Sequence, residues 1–188
     1  MYNPENEYIR NIDSGGPKPP DGTLDLGKIA EDLVVNIFNL NVGGMTLRLA
    51  TPSEDSGVKQ IISEKQIDTV AIQDGKPIMC MQITIARDPK IHAEKINQLK
   101  NKPFVRLDEM SPKDIAIPKV VIGLDPNEIE SLSNDQNYSG HPKILDKIIK
   151  DTLACLRYDL TRTEYEKEQE RIRVLISFFE SKKGKSLS

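Results

Sequence analysis

The chain has 188 residues, with 26 Lys and Arg against 29 Asp and Glu, a formal net charge of −3, 37% hydrophobic and 29% charged residues. That length suits one domain with extensions and can bury a sizeable core. No apolar run approaches the roughly 20 residues that cross a bilayer, which argues against a membrane protein, and the net charge gives no global attraction to nucleic acid.

The N-terminal stretch MYNPENEYIRNIDSGG has neither the basic start nor the apolar core of a secretory signal. Cys80 and Cys155 stand alone in apolar runs and read as buried free thiols in a reducing compartment, either the cytoplasm or one that the sequence does not identify. Only His92 and His141 are available, and no Cys or His spacing suggests zinc.

Residues 1–23 are rich in Pro, Gly, Asn and Asp and offer little to bury, so they read as an arm. Asp25 is placed to cap a helix in which Leu26, Ile29, Leu33, Ile37 and Leu40 recur at helical spacing, with Glu31 and Asp32 opposite and Gly43-Gly44 as its stop. MTLRLAT from Met45 reads as a strand and TPSEDSG from Thr51 as a loop. QIDTVAIQDGKPIMCMQIT, residues 66–84, reads as a hairpin across an Asp-Gly turn. Residues 89–101 predict a helix with Pro89 in its first turn, and KVVIGLD from Lys119 predicts a buried strand. After the polar loop SLSNDQNYSGHP, a helix is expected from Pro142 to about Leu160, with Ile144, Leu145, Ile148, Ile149, Leu153 and Leu156 on one face. A last helix follows in TEYEKEQERIRVLISFFESKK.

The hairpin carries polar groups where apolar ones would be expected. With a side-chain period of two, Asp68 shares a face with Val70 and Ile72, and Gln82 and Thr84 share one with Ile78 and Cys80, so the three polar groups can converge on one side. Polar groups among buried apolar neighbours are unfavourable unless paired, which points to a structural or chemical role.

The order helix, strand, strand, strand, helix, strand, then two helices implies a mixed α/β sheet with flanking helices. With a carboxylate on the first helix, an Asp opening the second strand and a polar pair on the third, the chain resembles the PD-(D/E)XK nuclease superfamily over roughly residues 24–125. The resemblance implies a restriction-endonuclease-like α-β-β-β-α-β core plus C-terminal helices, and it places Glu31, Asp68, Gln82 and Thr84 at the family's site positions. It also implies Mg²⁺ held by Asp68 and Gln82, a metal-dependent attack on a phosphodiester and a nucleic acid partner. Gln82 stands where the family has a second acid, and Thr84 where it has a lysine. The Q-x-T pair is similar to a divergent branch found in Crinkler-type effectors and retrotransposon hot spot proteins, whose histidine near the next helix His92 approximates.

Each residue also has a purely structural explanation. Asp68 can cap a strand end, Gln82 and Thr84 can be satisfied sheet residues, Glu31 and His92 can be solvated helix surface. Lys90 or Lys95 on the following helix could supply the cation that Thr84 lacks. Arg87, Lys100 and Lys102 belong to a local basic excess suited to phosphates or simply to solvent. The expected organisation is an arm over 1–23, a nuclease-like core over 24–130, and a linker with C-terminal helices over 131–188. Two functions are open at this point: a metal-dependent nuclease with a degenerate site, or an inactive relative that binds nucleic acid or a protein partner.

Overall fold

A computed structural model describes residues 26–51, 67–86, 88, 90, 91, 93, 94, 97, 104–107, 109–133 and 141–183. Helix α1, Leu26–Asn41, buries Ala30, Leu33, Val34, Ile37 and Phe38, an i, i+3, i+4 stripe. Leu40, expected on that stripe, is 63% exposed. It lies in the last turn, about 90° round the helix from the centre of the buried face. Gly44 turns the chain with φ of 89°, a left-handed conformation that glycine adopts without strain.

Five strands follow: β1 Thr46–Leu49, β2 Thr69–Gln73, β3 Lys76–Ile85, β4 Phe104–Val105 and β5 Ile117–Leu124. They form one mixed sheet in the order β1-β2-β3-β5-β4. The pairs β1/β2, β2/β3 and β4/β5 are antiparallel, and β3/β5 is parallel. β2 and β3 join through Asp74 and Gly75, with φ of 50° and 73°, so the Asp-Gly signal produces the two-residue turn whose twist suits a hairpin. Parallel pairing of β3 with β5 requires a crossover, and Lys90, Ile91, Ala93, Glu94 and Asn97 within it are helical. Every residue of β5 is buried, as a continuous apolar run beside a parallel neighbour should be.

Two elements were not expected from the sequence. Strand β4 pairs only Phe104 with Pro118 and Val105 with Ile117. Helix α2, Pro126–Ser133, fills the stretch between the expected strand and the polar loop and runs into the first three residues of that loop. Its cap is chemical: Asp125 Oδ1 accepts the Asn127 N–H at 2.7 Å, and Pro126 takes the first position, where no N–H is needed. α3, Pro142–Leu160, and α4, Glu166–Glu180, fall where the periodicity places them.

A larger core cluster joins α1 to Met79, Met81, Ile83 and Ile85 of β3, to Val120, Ile122 and Leu124 of β5, and to α3 and α4. Phe179 is fully buried in it, 6.2 Å from Phe38 ring to ring. The C-terminal helices therefore share one core with the sheet. A smaller cluster on the other face contains Ile67, Val70, Cys80, Val105, Leu107 and Ile117. Both cysteines are free and buried. No described helix is long and apolar enough to cross a membrane.

Side chains finish the sheet where strands end. On the β1 edge, the Asn39 amide accepts the Leu47 N–H at 2.7 Å and donates to the Leu47 carbonyl at 2.8 Å, as a neighbouring strand would. On the β5 edge beyond β4, Asp151 Oδ2 accepts the Gly123 N–H at 3.0 Å and Cys155 Sγ lies 3.5 Å from the Val121 N. The fit is geometric: four residues of helix rise about 6 Å, close to the roughly 6.6 Å spanned by two strand residues. Burial among these groups pushes the Cys155 thiol up to about 11.

Asp159, near the end of α3, is 5% exposed and its Oδ2 has no hydrogen-bond partner among the described residues. Burial raises its carboxyl from 3.8 to about 7, opposed by the charge of Arg162. Because the folded pKa lies above the unfolded one, ionisation works against folding. Stability from this group is highest below pH 4, falls as pH rises toward 7 and is level above that. Asp159→Asn is expected to raise the denaturation midpoint at pH 8 by the equivalent of about 2–4 kcal/mol, and by nearly nothing at pH 4, in parallel urea titrations.

Candidate functional site

Asp68 lies one residue before β2, where the ladder with β3 ends. Its N–H donates to the Met81 carbonyl at 3.0 Å and its carbonyl accepts the Ala50 N–H at 2.8 Å, so its backbone ties together the strands on either side. Its side chain does what a further backbone residue would have done: Oδ2 accepts the Ile83 N–H at 2.5 Å. Ile83 lies between Gln82 and Thr84, which brings the carboxylate to the polar pair. The structural explanation for Asp68 is therefore realised in full.

Alternation on β3 separates the two faces. Met79, Met81 and Ile83 enter the larger cluster, while Cys80 enters the smaller one and Gln82 and Thr84 follow its parity. Ile78, expected beside Cys80, instead packs with the larger cluster. The cause is a register shift: Ala71 pairs Met79 but Ile72 pairs Pro77, so Ile78 is an extra residue that resets the alternation. Gln82 is 6% exposed and Thr84 is fully buried, with no hydrogen-bond partner for its Oγ1 among the described residues.

The parallel register sets Cys80 beside Lys119, Gln82 beside Val121 and Thr84 beside Gly123. Lys119 is only 7% exposed and shares the face of Gln82 one pleat repeat away. No reading of the sequence singled it out. The run KVVIGLD makes Lys119 the first residue of the strand, whereas β5 begins at Ile117 and sets the lysine inside it.

Glu31 is half-buried on α1, whose packing face belongs to the cluster of Met79, Met81 and Ile83, so the sheet separates it from Gln82 and Thr84. Lys90 is exposed, and its backbone N–H donates to Asp88 Oδ1 at 2.9 Å. Arg87, His92, Lys95, Lys100 and Lys102 lie outside the described residues.

The donor set can be weighed against Mg²⁺, which prefers six oxygen ligands in near-octahedral geometry and rarely uses fewer than one or two carboxylates. Among the described residues no group of three or more His, Cys, Asp or Glu is placed to hold a metal ion. Asp68 already directs one oxygen at an amide, Gln82 carries no charge, and Thr84 is sealed from solvent. The described residues do not fit the ion, and no step is derived through it.

Asp68→Ala would leave the buried Ile83 amide without an acceptor and should lower stability by about 1–3 kcal/mol in chemical denaturation. Thr84→Val, which removes a hydroxyl with no partner at nearly constant volume, should leave the midpoint unchanged or raise it by about 1 kcal/mol.

Comparison of the chain with family models, with curated proteins and with solved structures finds no match.

Proposed function

We propose that this chain is a restriction-endonuclease-like domain of the PD-(D/E)XK type that has lost cleavage and serves to bind nucleic acid. The observation that carries the reading is the meeting of Asp68 with the Gln82–Thr84 pair at the point where β2 leaves β3, within a mixed sheet flanked by helices. A nuclease site at that junction would need its carboxylates facing a phosphodiester. Here the one carboxylate braces the sheet, the second acidic position is a neutral amide, and the lysine position is a buried hydroxyl. Lys119 adds a buried cation to the same face but no ligand charge for a metal. Phosphate contact then rests on the basic excess around Arg87, Lys100 and Lys102.

Two measurements made together test this. Plasmid, single-stranded DNA and RNA incubated with the protein in Mn²⁺ should remain intact. Fluorescence anisotropy should report binding that weakens with salt, and Lys100→Ala with Lys102→Ala should reduce the salt slope by about 2, roughly one per lost phosphate contact. Cleavage that Asp68→Asn abolishes would show a working site. Binding insensitive to salt, or absent, would remove nucleic acid as the partner.

A further inference from the structure

The hairpin end of the sheet, away from Asp68, opens into a groove of about 820 Å³, within the range of small-ligand sites. β1, the β2–β3 turn, the loop after β4 and α4 all contribute to its walls. Half-buried Ile72, Ile78 and Met110 give it apolar surface.

Its charges are unequal in their occupation. Glu109 is paired with Arg48 at 2.9 Å, and Asp114 Oδ2 accepts the Ser111 N–H at 2.7 Å, so two of the three acids are used in the walls. Asp74, the third, is exposed on the turn. Two cations are not used in that way. Arg171 is half-buried and directs Nη1 to the Ile115 and Ala116 carbonyls at 2.9 and 3.4 Å, which leaves Nε and Nη2 without a hydrogen bond among the described residues. The Lys76 ammonium has neither a hydrogen bond nor an ion pair among them. Burial lowers the Arg171 pKa, and the charges of Asp114 and Glu168 act in the opposite direction. A guanidinium held by one nitrogen, with its other edge unbonded in a partly apolar groove, is shaped to receive two oxygens of one anion.

We propose that this groove binds a small organic oxyanion, a carboxylate or phosphate carried on a short apolar body, with the charged group between Arg171 and Lys76 and the body against Ile78 and Met110. The bulge at Ile78 turns that side chain onto the sheet face that carries α4, the helix of Arg171. The site lies at the opposite end of β3 from Asp68 and does not depend on the nucleic acid reading.

Backbone amide NMR with hexanoate, phenyl phosphate and the neutral control hexanamide tests the proposal on the full chain. Either anion should shift the amides of Gln73, Asp74, Gly75 and Lys76 in a saturable way, and the one that binds more tightly identifies the head group preferred. Hexanamide should bind at least ~10-fold more weakly, the scale of one lost charge-assisted contact. Lys76→Ala, at an exposed position with no internal partner, should keep the spectrum of a folded protein and weaken binding ~10-fold. Arg171→Gln should weaken it further. Equal affinity for hexanamide, shifts confined to other parts of the sheet, or unchanged affinity in Lys76→Ala would overturn the site.

Discussion

Where a strand of the central sheet runs out of neighbours, a side chain takes the place of the missing backbone. Asn39 does so for Leu47, Asp68 for Ile83, and Asp151 with Cys155 for Gly123 and Val121. Backbone amides buried without partners are strongly unfavourable, and an open sheet edge is also a template for pairing with another chain. A short β1 and a two-residue β4 cannot cover the longer strands they flank, so these substitutions are what let an unequal set of strands close into one core. They also fix how the helices sit. Asn39 holds α1 against β1, and Asp151 and Cys155 hold α3 along β5 with their i, i+4 spacing matched to alternate strand residues.

The same requirement gives a physical account of the candidate site. Asp68 stands at the junction that the family resemblance selects, yet its carboxylate is committed to the sheet. Gln82 and Thr84 then occupy a buried face beside Lys119 and Cys80, and as neutral groups they add no second negative charge next to Asp68. The face is buried and braced by the bond from Asp68 to Ile83. It positions no described carboxylate cluster for metal chemistry.

Patterns with a local cause were legible in the sequence. The Asp-Gly turn, the apolar stripe of α3 and the continuous run of β5 each follow from dihedral preference or periodicity within a few residues. Helix α2 was legible too, since Asp125-Pro126 followed by Glu128 is a cap, a first-turn proline and an acid near the N-terminus, but PNEIE holds a single apolar residue and is too short to show a helical period. What could not be read depends on register between distant segments. The bulge at Ile78, the burial of Lys119 and the bond from Asp68 to Ile83 exist only once β2, β3 and β5 are aligned, and a shift of one residue would reverse every face involved.

The Ile83 amide tests the central claim most directly, through hydrogen exchange measured residue by residue in the native protein and in Asp68→Ala. If the carboxylate replaces a strand, Ile83 should exchange as slowly as Met81 in the native protein, and in the variant it should exchange faster by at least about tenfold, beyond any common loss shared by β3, since one lost bond of about 1.4 kcal/mol gives that factor. Equal protection of Ile83 in both proteins would contradict the account, because the amide would then have a partner other than Asp68.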